Sequence, residues 1–140
     1  MTLNELYTIA DDNDIAVYHF DLNPIRSMSV PGAIGIDTNL IESTAEEKEQ
    51  LAHELGHCIL GAFYTGTSSY ELKAQKEYRA DKWAVKKLIP FEELSEALQN
   101  GITESWQLAE YFNVPQSFIN KATKLYESKL LEQKTKLLKG

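Results

Sequence analysis

The sequence predicts an α+β fold: a small three-stranded sheet packed on a helical core, followed by C-terminal helices. Three observations carry this. Residues 15–37 contain three short runs rich in β-branched and aromatic side chains, separated by Pro and Gly. From Ser43 onward, apolar residues recur at helical spacing between capping motifs and Gly or Pro stops. His53-Glu54-Leu55-Gly56-His57 places an H-E-x-x-H pattern inside the first of those helices.

Thr2 to about Asp12 reads as a short helix, with Leu3, Leu6, Tyr7 and Ala10 on one side. Ile15 to Phe20 reads as a strand, broken by Asn23-Pro24. Met28 to Val30 and Ala33 to Asp37 read as two more strands around a Pro31-Gly32 turn, in an antiparallel or mixed sheet. His19 falls on a strand surface. Ser43-x-x-Glu46 and Thr44-x-x-Glu47 are overlapping capping boxes that start the next helix. It runs to about Leu60, where Gly61 stops it, and Leu51, Leu55, Cys58 and Ala62 form its core stripe.

A loop rich in Gly, Ser and Thr follows, and Ser68-x-x-Glu71 opens a long helix that Pro90 ends. Phe91 to Asn100 and Thr103 to Phe112 are two further helices. Pro115 opens another, packed through Phe118, Ala122 and Leu125. After Ser128 the chain turns rich in Lys and Leu and extends into solvent or frays.

On a helix, positions i and i+4 stand one above the other, so His53 and His57 can reach one metal ion. Glu54 projects beside them, placed to take a proton from water. A catalytic zinc takes three protein ligands, so a third is needed. Position 63, where a longer zinc-protease pattern has a third histidine, is Phe63. The third ligand should therefore be a carboxylate. Glu77, Ala80, Ala84 and Leu88 form one helical stripe, with Asp81 at its edge. Two carboxylates on an apolar face are costly without a partner. Glu77 is assigned as the ligand. Asp81 is assigned outside it, accepting the spare N–H of a ligand histidine. Exchanged roles for Glu77 and Asp81 stay open, and Glu71 is a weaker candidate. Mn²⁺ or Fe²⁺ suits such a site, but Zn²⁺ suits it best.

The chain has 140 residues, enough for one domain with its own core. A net charge of −7 argues against a general nucleic-acid binder, which needs a basic surface. The single cysteine, Cys58, cannot close an intrachain disulfide, which fits a reducing cytosol. It reads as a small core residue, not a ligand. There is no run of 18 apolar residues and no basic-then-apolar leader. The expected location is cytoplasmic, with no membrane partner.

With the H-E-L-G-H helix, the segment Glu77-Tyr78-Arg79-Ala80-Asp81-Lys82-Trp83-Ala84 and Leu88-Ile89-Pro90 in view, the chain resembles the ImmA/IrrE family of metallopeptidases. The resemblance spans about Ile15 to Tyr126. Residues 1–100 are expected to form a zincin-like core and residues 101–140 a helical extension, packed together as one compact unit. The resemblance places zinc on His53, His57 and Glu77, and the general base on Glu54. It also implies a small helical unit after Pro90, which Leu108 to Val114 and Phe118-Ile119 match with the rhythm of a helix-turn-helix. The missing basic groove favours a helix pair that covers the core.

What the family implies is narrow proteolysis of a protein substrate, a helix-turn-helix repressor, by an anti-repressor of phage or mobile-element type. Two rivals remain: a non-catalytic anti-repressor that sequesters its partner, and a DNA-binding regulator built on the C-terminal helices. A second donor for the developing oxyanion is expected, with Tyr64, Tyr70, Tyr78 and His19 as candidates.

Overall fold

The computed structural model describes residues 1–139. Helix α1 (Leu3–Asp12) is followed by β1 (Ala16–His19), β2 (Ser27–Val30) and β3 (Ala33–Ile36). Then come α2 (Thr44–Leu60), α3 (Tyr70–Leu88), α4 (Phe91–Gln99), α5 (Ser105–Phe112), α6 (Gln116–Leu125) and α7 (Glu127–Lys139). This is the α+β arrangement read from the sequence.

The sheet is mixed, with strand order β1-β3-β2. Strand β3 lies in the middle, parallel to β1 and antiparallel to β2. The β2–β3 hairpin closes through Pro31-Gly32, with Val30 opposite Ala33. Gly32 has φ 82°, a value that glycine adopts without strain. Ile34 and Ile36 of β3 are buried in the core. Met28 and Val30 of β2 are exposed, whereas Ser27 is buried and Ser29 half-buried. The period of two thus turns the serines of β2 one way and its apolar residues the other.

Helix α2 is the hub. It packs against α1, β2, β3 and, most extensively, α3. Ser43 caps it by accepting from the Glu46 amide at 3.1 Å, and Gly61 ends it at φ 62°. The two overlapping capping boxes do not form in full. Glu46 turns its carboxylate to Arg26 at 2.9 Å and to the Glu42 amide at 3.1 Å. Glu47 accepts from the Tyr7 hydroxyl at 2.7 Å. Tertiary partners have taken both side chains.

Other boundaries move by one or two residues. Ser69, not Ser68, caps α3, accepting from the Leu72 amide at 3.2 Å. Ser68 instead closes the preceding loop by accepting from the Thr65 amide at 3.0 Å. Helix α5 starts at Ser105, two residues later than the pattern suggested, because Glu104 and Gln107 form the cap. Cys58 is half-buried rather than buried, with Sγ 3.5 Å from the Val30 carbonyl oxygen. Leu125 is half-buried beside buried Phe118 and Ala122.

The C-terminal segment is a separate helix rather than an extension. Tyr126 interrupts it, buried and donating to the Ile89 carbonyl at 2.9 Å. Helix α7 then lies along α4, with Ser95 donating to Gln133 at 2.8 Å and Lys129 over the Phe91 ring. Its far end exposes Leu137 and Leu138.

One cluster of buried side chains runs from Leu6 through Leu55 and Leu88 to Ile119 and Tyr126. Val114 and Phe118, on either side of the α5–α6 turn, belong to it. The helix pair therefore spends its apolar face on the core. Buried Lys48 of α2 donates to the Phe112 carbonyl at 2.8 Å, at the C-terminal end of α5. The negative end of that helix dipole suits an ammonium. Among the described residues, no helix is long and apolar enough to cross a membrane.

Candidate metal centre

Helix α2 supplies His53, Glu54 and His57, and α3 supplies Glu77 and Asp81. What brings the two helices together is the absence of a side chain at Gly56. A Cβ there would lie 2.8 Å from the Ala80 carbonyl oxygen and 3.0 Å from its Cα. Ala80 falls between Glu77 and Asp81, so the close approach occurs where the carboxylates must reach the histidines.

His53 Nδ1 lies 2.8 Å from Asp81 Oδ1. An ionised carboxylate only accepts, so Nδ1 carries the proton and donates. His57 Nδ1 donates to the Ala62 carbonyl oxygen, just past the Gly61 turn. Both rings are thereby fixed with Nε2 turned to the same point. The two Nε2 atoms are 3.2 Å apart. Glu77 Oε2 lies 2.7 Å from His53 Nε2, and Oε1 lies 3.3 Å from His57 Nε2. Ligand atoms of His53, His57 and Glu77 all fall within 4.8 Å of one another.

The donor set fits zinc. Two nitrogens at 2.0–2.1 Å in a tetrahedron are separated by about 3.3 Å, close to the spacing found. Their outward N–H groups are each taken by an acceptor, which raises their basicity and fixes the tautomer. The sequence expected Glu77 as a ligand and Asp81 behind a histidine; the structure sets Glu77 beside both Nε2 atoms and Asp81 against His53 Nδ1. Glu71, in the first turn of α3, is exposed and not in the cluster.

Without a metal, the same groups share protons. Burial opposes a charged His53, but the hydrogen bonds to Asp81 and Glu77 prevail, and its pKa is pushed up to about 10. The hydrogen bonds from His53 and His57 hold Glu77 far below the usual carboxylate range. Burial works against ionised Asp81, yet the His53 hydrogen bond leaves its pKa lowered. Tyr64 donates to Glu77 Oε1 at 2.6 Å, and that bond pushes its pKa up to about 12.

Of the four candidates for a second donor, the fold brings Tyr64 to the cluster. Tyr70 is 82% exposed at the start of α3. Tyr78 faces a groove between α3 and α6. His19 sits with α1 instead, 2.9 Å from the Tyr7 hydroxyl.

Glu54 is buried beside His57, yet it is not a ligand atom of the cluster. The Ser27 hydroxyl lies 2.8 Å from its Oε2 and the Ser29 hydroxyl 2.7 Å from its Oε1. Phe63 stacks on the His57 ring. Lys121 of α6 reaches Asp81 at 3.4 Å. Sequence reasoning missed Ser27, Ser29 and Lys121. The serines carried a signal, since polar residues alternated there with Met28 and Val30. Lys121 carried none, being one lysine among several on a solvated helix.

Two open depressions flank the cluster and meet at Ser27, Glu54 and Glu77. A cleft crossed by two histidines, two glutamates and a tyrosine hydroxyl is the class of site that a metal-dependent hydrolase uses. The chain belongs to the Peptidase_M78 family: residues 8–124 match its IrrE N-terminal-like domain. A search of curated proteins gives no match. The family is the one that the H-E-L-G-H and α3 motifs suggested.

Proposed function

We propose that this chain is a zinc-dependent endopeptidase that cuts a protein substrate at a defined site, in the cytoplasm. The substrate class we favour is a helix-turn-helix repressor of a phage or mobile element, as the ImmA/IrrE resemblance implies. The observation that supports peptidase chemistry is the convergence of His53, His57 and Glu77 with Glu54 beside them and outside the ligand set. A site that only held a metal for structure has no use for a further, unligated carboxylate at the cleft.

His53, His57 and Glu77 would hold zinc, which would supply a Lewis acid able to lower the pKa of a water and polarise a peptide carbonyl. Glu54 takes a proton from the attacking water and later hands it to the leaving amine. Tyr64, whose hydroxyl reaches Glu77 at the edge of the cluster, is our choice for the donor to the carbonyl oxygen as it gains charge. Asp81 and the Ala62 carbonyl keep the two imidazoles in the tautomer that leaves Nε2 free.

The test compares cells expressing the wild-type chain with cells expressing Glu54→Gln, reading new protein N-termini by mass spectrometry. One or a few new termini, absent with Glu54→Gln, are expected. Full biological activity of Glu54→Gln with no new termini would overturn the peptidase reading in favour of a sequestering protein.

A further inference from the structure

We propose that Ser27 and Ser29 are positioning residues that hold the Glu54 carboxylate in one orientation toward the cleft. This rests on Glu54 being the base in the proposed reaction. The two serines are two apart on β2, so both hydroxyls leave the same face of the strand. That face meets α2. Ser27 Oγ reaches Glu54 Oε2 at 2.8 Å and Ser29 Oγ reaches Oε1 at 2.7 Å. An ionised carboxylate has no proton to give, so each hydroxyl donates. Each carboxylate oxygen receives its own donor.

Gln50, one helical turn before Glu54, completes the arrangement. Its amide oxygen lies 2.6 Å from Ser27 Oγ. Ser27 has one proton, and the charged acceptor takes it. Gln50 is then best satisfied by turning its NH₂ group to the lone pair of Ser27. The result is a short relay, Gln50 to Ser27 to Glu54, with Ser29 closing the other side.

A glutamate has three side-chain torsions, and a base that wanders by an ångström loses much of its effect. Opposed donors on a strand remove that freedom, because β2 is itself fixed to β3 by its hairpin register. Each oxygen keeps a second lone pair, so a water in the cleft can still bond to it. Serine suits this role because its side chain is short and its hydroxyl rotor aims the proton where the acceptor lies. Apolar residues would leave Glu54, only 7% exposed, without donors from the sheet.

The experiment uses the full chain loaded with zinc and acetohydroxamate as the probe. This small metal-directed ligand offers a proton to a base beside the metal. Zinc content and hydroxamate affinity are measured for wild type, Ser27→Ala, Ser29→Ala, Ser29→Thr and Glu54→Gln, and for each alanine variant in the Glu54→Gln background. Zinc content should stay at that of wild type throughout. Each alanine variant should weaken hydroxamate about five- to tenfold, the worth of one hydrogen bond. Ser29→Thr, which keeps the hydroxyl, should restore it. In the Glu54→Gln background the serine changes should add little, because they act through Glu54.

Serine variants that bind hydroxamate like wild type, while Glu54→Gln does not, would overturn the positioning role alone. So would serine effects that persist undiminished without Glu54. A wild-type chain that takes up no zinc, or a Glu54→Gln variant with unchanged affinity, would remove the base reading and this proposal with it. Ser29→Thr keeps the test open should Ser27→Ala fold poorly.

Discussion

Gly56 of α2 faces Ala80 of α3 with no room between them for a methyl group. Adding one by Gly56→Ala pits two terms against each other. Alanine favours a helix over glycine by about 1 kcal/mol. The clash with Ala80 backbone costs about 1–3 kcal/mol, since neither partner is a flexible side chain that can swing aside. The expected result is a net loss of thermal stability and a weaker zinc site, because separating the helices draws Glu77 from the histidines. Thermal melts with and without zinc check it, and a variant more stable than wild type with unchanged zinc affinity would sink the idea.

Asp81 should tune the site rather than form it. Asp81→Ala removes the acceptor of His53 Nδ1–H and leaves the three candidate ligands in place. Zinc affinity is expected to fall about 10- to 100-fold, with full loading still reached at high zinc. Glu77→Ala should lose the stoichiometric site. Competition against a chromophoric chelator separates the two. Equal losses would mean that Asp81 is itself a ligand.

The metal-free protein should carry a distinct pH signature. His53 has a folded pKa raised from 6.5 to about 10, so its contribution is fully present below pH 6.5 and fades as pH rises toward 10. Glu77 has a depressed pKa, so its contribution is present above about pH 4.5 and lost on acidification. Melting temperature without metal is therefore expected to peak between roughly pH 5 and 6.5. Zinc held at His53 would displace its proton, so the zinc-induced rise in melting temperature should be larger at pH 8 than at pH 6. A zinc effect flat across this range would contradict the shared-proton arrangement.

How much of this was legible in the sequence depends on the range of the interaction. Helix α2 was readable because Ser43, Gly61 and the apolar spacing are local signals. Glu77 was readable because a carboxylate on an apolar stripe is anomalous unless something answers it. The second halves of the capping boxes were not, since Arg26 and Tyr7, distant in sequence, took Glu46 and Glu47. The β2–β3 hairpin was legible from its Pro31-Gly32 turn, but the parallel pairing of β1 with β3 was not. That pairing sets β3 in the middle of the sheet, with Ile34 and Ile36 buried in the core. The apolar strand pattern begins at Met28, one residue past Ser27, and so passes over a partner of Glu54.

A chain ending at Asn100 should not hold the fold. It lacks Leu108, Phe112, Val114, Phe118 and Ile119, all part of the buried cluster, and the Phe112 carbonyl that receives Lys48. The apolar faces that those residues cover in the full chain would then meet water. Far-UV circular dichroism and zinc uptake of the 1–100 fragment are expected to show a largely unfolded chain. A cooperative melt of that fragment would show that the H-E-L-G-H unit stands alone. Lys48→Met in the full chain, which removes the charge but keeps the volume, should be tolerated far better than the truncation.

The contact between Lys48 and Phe112 also sets an order in time. Synthesis runs from the N-terminus, so α2 emerges with both histidines well before the carbonyl that its lysine needs, 64 positions later. Until then the helix either leaves Lys48 in water, and so stays away from its final seat, or buries a charge with nothing to receive it. Both histidines are therefore made well before the contact that seats their helix.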